Sequence, residues 1–195
     1  LNTGLEDHAI KLSAIDAYAT DKDGSETLKL EISGIPEGAT ISDGSGNTFT
    51  ASAGNQSVDI SGWSKSTLVY NPVPNANGLV NLTVTATAQD GTAAPKIESI
   101  TLPINVIAVN DAPVLGNGST NNFGDTYIEG KPGGYVAANL TVTDVDNATL
   151  QSAKVTLVNH LTDDVLIADV TNTKITVSYD KDTGILSLSG EATKA

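Results

Sequence analysis

The chain of 195 residues carries 23 acidic side chains against 10 basic ones, so its net charge is −13 and its pI is near 4.2. This charge excludes binding to nucleic acid or to an anionic membrane through a basic patch, and it makes divalent cations the natural ligands. Cysteine and methionine are both absent, which excludes disulfides, thiolate metal sites and a cysteine nucleophile and fits a bacterial exported protein. With no run of about 18 apolar residues and no signal-peptide pattern at the start, we expect a soluble piece whose targeting information lies elsewhere.

The first segment alternates short apolar runs with turn residues. Strands are predicted at residues 9–19, 28–32, 39–41, 48–51, 58–60, 67–70, 79–88 and 97–109. The loop at 71–78 contains two prolines and a glycine, which excludes a helix or a central strand there. No segment shows sustained helical spacing. These eight runs in roughly 105 residues are typical of a β-sandwich, which has about seven strands.

The two segments meet at residues 106–114, where an apolar run passes an Asn-Asp step and continues as Ala-Pro-Val. Pro113 fixes its own φ, removes a backbone donor and favours extended geometry in the residue before it. A flexible linker would be longer and rich in glycine and serine. The sequence therefore predicts a stiff joint between two domains, residues 1–109 and 112–195, with Asn110 and Asp111 in the joint.

The second segment begins like the first and stops early. Strands are predicted at residues 135–143, 150–158, 165–167, 174–179 and 185–188. Residues 180–184 have the composition of a hairpin turn. Compared with the first domain, the second lacks its last two strands, so it is predicted to be an incomplete β-sandwich.

An internal repeat links the two domains. In both, a glutamate precedes a Thr-Asp-x-Asp pattern, and the glutamate lies 15 residues before the first aspartate of the pattern (21 − 6 and 144 − 129). The matching residues are Glu6, Thr20, Asp21 and Asp23 in the first domain and Glu129, Thr143, Asp144 and Asp146 in the second. Four matches at one constant shift of 123 residues indicate a repeated unit rather than coincidence.

This spacing separates the acids within each domain. A strand crosses a sandwich in about eight residues at roughly 3.3 Å each, so the glutamate and the aspartate pair lie at opposite ends and cannot share an ion. In a head-to-tail chain, the glutamate end of one domain meets the aspartate end of the next. The acids then expected at the joint are Glu6, Asp111, Asp144 and Asp146. Carboxylates together with backbone carbonyls suit Ca²⁺, and without the ion the acids repel one another.

Several of these motifs resemble known repeats. The motifs are Glu-Gly at 129–130 followed by a strand and Asp-x-Asp at 144–146, the loop acid Asp90, the Asn-Asp linker at 110–111, the run at 21–28, and the Pro/Asn loop at 71–78. The first three resemble cadherin repeats. Together with the Asn-Asp-Ala-Pro-Val joint, the whole set resembles still more the bacterial cadherin-like (immunoglobulin-like) repeats of giant surface adhesins of the repeats-in-toxin class. The resemblance covers nearly the whole chain.

The resemblance implies an all-β fold of tandem cadherin-like sandwiches that extend an adhesin from the surface of a Gram-negative bacterium, for instance in a biofilm. Its partners would be neighbouring repeats and a ligand-binding module, with no nucleic acid and no direct membrane insertion. Structural Ca²⁺ would stiffen each joint. The ligands that the resemblance implies are Glu6, Asp21, Asp23, Asp90, Asn110, Asp111, Glu129, Asp144 and Asp146.

The chain also departs from the pattern. Animal cadherins have a further acidic motif before their sixth strand, whereas the loop at 71–78 has no carboxylate, so fewer ions per joint are expected. In adhesins of this class a ligand-binding module can be inserted into a sandwich, and residues 112–195 resemble the first part of such a split domain. A proteolytic boundary at residue 195 is the alternative.

Other polar and aromatic features have ordinary structural interpretations. Ile32 and Val155 occupy the twelfth positions of the two Asp-x-Asp loops, which excludes an EF-hand because a bidentate glutamate is needed there. His8 and His160 stand alone and are expected to be solvated or packed. Trp63 could form a sugar platform, but packing in a strand-loop region is the simpler expectation.

Catalysis is not predicted, because the sequence contains no nucleophile elbow, P-loop, His-Glu-x-x-His or dinucleotide-binding motif. Three functional hypotheses remain open. The first is the structural extender, and the second is a Ca²⁺-dependent module that binds a carbohydrate or a peptide. The third is an accessory sandwich of a secreted polysaccharide-degrading enzyme.

Overall fold

The computed structural model describes residues 1–19, 23–116, 128–136 and 140–194, and every regular element in these ranges is a β-strand. The all-β class predicted from the sequence is therefore confirmed. A helix long and apolar enough to span a membrane is not found in these ranges. The chain divides into two compact units, Leu1–Val109 and Asn110–Ala195.

Unit 1 consists of two sheets. Its strands are β1 (Asn2–Leu5), β2 (Ile10–Lys11), β3 (Glu26–Ser33), β4 (Thr40–Ser42), β5 (Thr48–Thr50), β6 (Ser57–Asp59), β7 (Val69–Asn71), β8 (Gly78–Asp90) and β9 (Lys96–Ile107). One sheet has the order β1-β9-β8-β3-β6, and the other has the order β2-β7-β4-β5. The first strand, β1, runs parallel to the last, β9, whereas the other pairs are antiparallel.

Both sheets of unit 1 contribute to one core. Ile32, Leu82 and Ile104 of the five-stranded sheet belong to the same buried cluster as Ile41 and Tyr70 of the four-stranded sheet. Alternation places these apolar side chains on the inner faces, and burying each stabilises the fold by about 1.5–3 kcal/mol. Two sheets that share a core in this way are consistent with a β-sandwich.

The strand predicted at 9–19 is shorter than expected, since only β2 forms regular pairs there. Ile10, Leu12 and Ile15 are nevertheless buried. The step of three residues from Leu12 to Ile15 breaks the alternation that a strand needs, so the backbone leaves the sheet after Leu12 while Ile15 still reaches the core.

Asp43 is a buried carboxylate of unit 1, only 1% exposed. It accepts hydrogen bonds from the backbone N–H groups of Ser45, Asn47 and Ser64 and from the Asn47 side-chain amide. The Asn47 amide, followed by these backbone donors, lowers the pKa of Asp43 to about 2 although burial opposes the shift. Asp43 thus ties the β4–β5 turn to the loop before β7.

Unit 2 contains smaller sheets. Its strands are β10 (Val114–Gly116), β11 (Thr141–Thr143), β12 (Thr149–Thr156), β13 (Thr176–Asp180) and β14 (Ile185–Thr193). β10 pairs with β11, and the other three form a sheet of order β12-β14-β13. The hairpin turn predicted at 180–184 is confirmed, because Asp180 pairs with Ile185 and Gly184 adopts a φ of +67°.

One strand prediction in unit 2 was wrong in part, and another was wrong. Within 135–143 only β11 is a strand, Tyr135 and Val136 are not, and 137–139 lie outside the described residues. Residues 165–167 form no strand, although Leu166 is buried. The Asp164 N–H bonds to the Leu161 carbonyl in a turn just before this stretch, and residues 165–167 pair with no strand among the residues that the structure describes.

Candidate metal-binding acids

Glu6 is a fully buried carboxylate at the end of unit 1 where β9 finishes. Its backbone N–H donates to the Ile107 carbonyl at 2.9 Å. Its Oε1 accepts a hydrogen bond from the Val109 N–H at 2.6 Å, and its Oε2 accepts one from the Asn77 amide at 3.2 Å. A carboxylate offers about four lone-pair positions, so roughly half of its accepting capacity remains.

The two groups that donate hydrogen bonds to the Glu6 carboxylate, the Val109 N–H and the Asn77 amide, are neutral. In the described ranges the ion pairs are Lys29–Glu31 and Lys181–Asp182, and neither involves Glu6. A buried carboxylate without a positive partner is costly unless something compensates its charge. Glu6 therefore has the properties of a cation ligand that is already positioned by its backbone and amide contacts.

Glu6 is surrounded by the turn after β1, the end of β9 and the Pro/Asn loop at 71–78, which are together called the Glu6 pocket. Asp7 adopts a φ of +57°, a conformation that aspartate tolerates better than most residues, and its Oδ1 accepts a hydrogen bond from the Asn75 N–H at 2.8 Å. Asn75 and Asn77 both belong to the loop at 71–78. The prolines, the glycine and the missing carboxylate of this loop gave no sign in the sequence that its asparagines donate N–H groups to the acids Glu6 and Asp7.

A second group of acids lies where β3 begins and β8 ends, since Glu26 and Asp90 are paired across these strands. The Ser25 hydroxyl is 2.6 Å from an oxygen of Asp23 and 2.7 Å from an oxygen of Asp90. A hydroxyl carries one proton, so it can donate to only one of the two carboxylates at a time. The Ser25 hydroxyl, followed by its backbone N–H, lowers the pKa of Asp23.

Glu26 was not among the predicted ligands, although it belongs to the same group. Its Oε1 is buried and has no hydrogen-bond partner among the residues that the structure describes. Asp21, which was predicted beside Asp23, lies outside the described residues. This end of unit 1 therefore combines three described acids, one of which has an unsatisfied buried oxygen.

The two groups of unit 1 are far apart. β8 starts at Gly78, next to the Glu6 partner Asn77, and ends at Asp90. Its 13 residues at about 3.3 Å each give a separation of roughly 40 Å. Glu6 and Asp90 therefore cannot bind one ion together.

In unit 2 the linker residues lie against the Asp-x-Asp loop. The Asp111 N–H donates to Asp146 Oδ2 at 2.5 Å, and the Asn147 side-chain amide donates to Asn110 Oδ1 at 2.9 Å. Asp144 Oδ1 accepts the backbone N–H groups of Asp146 at 3.0 Å and Asn147 at 2.7 Å. Four predicted residues of unit 2, namely Asn110, Asp111, Asp144 and Asp146, are thus brought together. Asn147 belongs to the same group, although only its position directly after the Asp-x-Asp motif could have indicated this from the sequence.

Asp144 is set up to stay ionised. The backbone N–H of Asn147, followed by that of Asp146, lowers the pKa of the Asp144 carboxyl, and the Lys194 ammonium adds a smaller effect. The same ammonium donates to the Asp144 carbonyl. The loop therefore holds a negative charge next to the linker over the whole neutral pH range.

Glu129 lies in a turn like that of Glu6 but is exposed. Gly130 has a φ of +75°, matching Asp7 at +57° 123 residues earlier, and the Lys131 N–H bonds to the Ile128 carbonyl. The pocket around Glu6 is built by the end of β9 and the Pro/Asn loop, and the described part of unit 2 contains no counterpart of either. The turn around Glu6 is therefore repeated around Glu129, but the contacts that bury Glu6 are not repeated in the described part of unit 2.

Within the described ranges, no three acidic, histidine or cysteine side chains are grouped closely enough to hold a metal ion by themselves. Calcium coordination at any of these places would require backbone carbonyls, asparagine side chains or water in addition. Ca²⁺ accepts all of these, with six to eight oxygen ligands in flexible geometry.

Comparison with known proteins adds no relative. No family model matches the chain, and no curated protein matches it. The resemblance to cadherin-like adhesin repeats therefore stays a prediction, and the function has to be argued from the acids and their surroundings.

Proposed function

We propose that this chain is a calcium-stiffened extender of a bacterial cell-surface adhesin, built from tandem cadherin-like sandwiches that hold a ligand-binding module away from the cell. The observation that carries the proposal is the Glu6 carboxylate, which is fully buried and bonded only to neutral donors in the described part of unit 1. A bound divalent cation would supply the positive charge that this burial lacks.

The linker end of unit 2 supports the same proposal. Asp144 and Asp146 flank the loop to which Asn110 and Asp111 are hydrogen-bonded. Carboxylates, asparagine oxygens and backbone carbonyls are the donor types that Ca²⁺ prefers. The residues that would bind calcium are Glu6 in unit 1 and Asn110, Asp111, Asp144 and Asp146 in unit 2.

The remaining predicted ligands fit a tandem array. Asp23 and Asp90 in unit 1, with Glu26 added, would bind calcium together with a preceding repeat, and Glu129 would do so with a following one. Calcium would act here by neutralising acids that otherwise repel one another in a chain of net charge −13. The expected dissociation constants are those of extracellular modules, about 10⁻⁴ to 10⁻³ M.

Small-angle scattering tests the proposal directly. In about 10 mM calcium, 10- to 100-fold above the expected dissociation constant, the distribution of chain dimensions should narrow relative to chelator at matched ionic strength. Asp144→Asn should remove most of this effect because the loop next to the linker loses one of its two carboxylate charges. Asp163→Asn, which changes an exposed acid of unit 2 outside the group, is the matched control.

Two outcomes would contradict the extender mechanism. One is the same scattering distribution with calcium and with chelator. The other is a calcium response that Asp144→Asn and Asp163→Asn leave equally intact, since the charge of the linker loop would then be irrelevant to stiffness.

A further inference from the structure

β12 of unit 2 is the counterpart of β3 of unit 1. β3 covers Glu26–Ser33 and β12 covers Thr149–Thr156, so both have eight residues and their bounds differ by 123 at each end. This is the shift at which the acidic motifs repeat. Residues 123 apart in these two strands can therefore be compared one by one.

The comparison shows a loss of burial on the inner face. Ile32 of β3 is 0% exposed, whereas its counterpart Val155 is 38% exposed. Leu30 is 2% exposed, whereas its counterpart Ala153 is exposed. The face of β12 that corresponds to the inner face of β3 carries the apolar side chains Ala153 and Val155, with the polar Gln151 at the position of Leu28, and its surroundings in unit 2 do not cover it.

The missing cover corresponds to one strand. β3 is flanked by β6 on one edge and by β8 on the other, with β8 paired along all eight residues from Glu26 to Ser33. β12 pairs only with β14 among the described residues of unit 2. One long edge of β12 therefore has no strand beside it in that part of the chain.

The hydrogen bonds identify which edge is open. On β3, the Leu30 carbonyl accepts from the Ile60 N–H at the end of β6, so Leu30 points its backbone groups to the β6 edge. Directly after β12, the Leu157 N–H donates to the carbonyl of Gly184, the residue before β14, and this bond continues the pairing of Thr156 with Ile185. Residues an even number apart in a strand direct their N–H and C=O groups to the same edge. The backbone groups of Ala153, the counterpart of Leu30, are thus directed at β14. In unit 2, β14 therefore lies on the edge that β6 occupies in unit 1.

The open edge of β12 is consequently the one that β8 occupies in unit 1. The backbone groups of Ser152, Lys154 and Thr156 face it. A row of backbone N–H and C=O groups without a neighbouring strand can bind an extended peptide as an additional strand of the sheet. An incompletely covered apolar face beside that row favours such binding.

We propose that this edge binds one extended antiparallel peptide strand with the chemistry of β8, that is, small or branched apolar side chains at alternate positions. In unit 1 these positions are Val84, which lies opposite Ile32, and Ala86, which lies opposite Leu30. The same positions of the incoming strand would lie opposite Val155 and Ala153. This interaction is independent of calcium.

The test uses the full chain and a synthetic peptide with the sequence of Gly78–Asp90. The measurement is amide hydrogen exchange by NMR. The peptide should slow exchange at Ser152, Lys154 and Thr156 at least about tenfold, because their N–H groups face the open edge, where the peptide supplies backbone partners. Ala153 and Val155 already face β14, so their exchange should change much less. The result should be the same in calcium and in chelator.

Two variants of one residue sharpen the test. Lys154→Pro removes an N–H that faces the open edge, a position where a strand tolerates proline, so the sheet should remain folded while peptide binding is lost. Lys154→Thr keeps the N–H and should keep binding. A peptide carrying Val84→Asp should not bind, because it would place a charge opposite Val155.

Three results would overturn the proposal. The first is unchanged exchange in β12 at millimolar peptide. The second is equal slowing at all five positions from Ser152 to Thr156, which would indicate general compaction. The third is slow exchange at Ser152 and Lys154 without peptide, together with dimer formation that Lys154→Pro abolishes, because the edge would then belong to a second copy of the chain.

Discussion

Replacing Glu6 by glutamine separates the charge of this side chain from its hydrogen bonds. The glutamine oxygen can still accept from the Val109 N–H, and the Asn77 amide can rotate to present its oxygen to the new NH₂ group. Without calcium we therefore expect Glu6→Gln to be no less stable than the parent chain, because it removes a buried charge that neutral donors alone surround.

With calcium the parent chain should be more stable than Glu6→Gln. At about 10 mM calcium and a dissociation constant of about 10⁻⁴ to 10⁻³ M, binding to the folded state stabilises it by about 1.4–2.7 kcal/mol. For a domain of about 100 residues this raises Tm by roughly 6–20 °C. Since Glu6→Gln removes the charge that attracts the ion, its calcium-induced increase in Tm should be less than half that of the parent chain.

Thermal unfolding followed by circular dichroism, in calcium and in chelator, measures both effects. Glu98→Gln on the exposed part of β9 is the matched control, because it removes one negative charge from unit 1 away from the Glu6 pocket. If Glu6→Gln and Glu98→Gln respond to calcium equally, Glu6 is not a ligand. If Glu6→Gln is clearly less stable than the parent chain in chelator, the buried charge is already compensated and the reasoning fails.

Three further predictions concern the fold. Gly4→Ala should destabilise unit 1 by about 1–3 kcal/mol in denaturant unfolding, because its Cβ would lie 2.5 Å from Cγ1 of the buried Ile10. Ile32→Ala should cost about 2–5 kcal/mol, whereas Val155→Ala should cost less than about 1 kcal/mol because Val155 is 38% exposed. Asp43 has a pKa of about 2 in the folded chain, below its ordinary value of 3.8. Its contribution to the free energy of unfolding is therefore complete above about pH 4 and is lost as the pH falls towards 2. In Asp43→Asn the free energy of unfolding should depend less on pH in this window.

Each of these predictions has a control and a contrary result. Gly62→Ala adds a Cβ with no atom within 4 Å and should leave stability nearly unchanged, so equal losses for the two glycine variants would refute the packing argument. Equal costs for the two core variants would mean that β12 is covered in solution. For the acid transition, Asp182→Asn at an exposed position is the control, and an unchanged slope in the Asp43 variant would contradict the assigned pKa.

Local patterns in the sequence predicted the strands that alternate cleanly. The run at 28–32 became the centre of β3, the run at 79–88 became β8, and the turn at 180–184 closed a hairpin. These predictions succeed because period-two alternation and turn residues act over a few positions. The run at 9–19 failed because its apolar spacing changes midway, which the count of apolar residues alone does not reveal.

The surroundings of the acids were less predictable, since contacts over long sequence separations create them. Glu6 is 71 residues from Asn77 and 103 residues from Val109, and no local pattern indicates that they meet. Glu26 begins a strand, and no motif in the sequence singled it out as a ligand. The internal repeat was the only sequence signal with sufficient reach, and it related Glu6 to Glu129 without revealing that one is buried and the other exposed.

The parallel pairing of β1 with β9 has a mechanical consequence. These strands carry the two termini of unit 1 and are joined from Asn2–Ile104 to Leu5–Ile107. A tensile force applied to those termini acts along the strands in opposite directions, so the ladder is sheared and its bonds share the load instead of peeling apart one after another. The Glu6 carboxylate accepts a hydrogen bond from the Val109 N–H just beyond the ladder. This bond reinforces the place where the force would act on the domain.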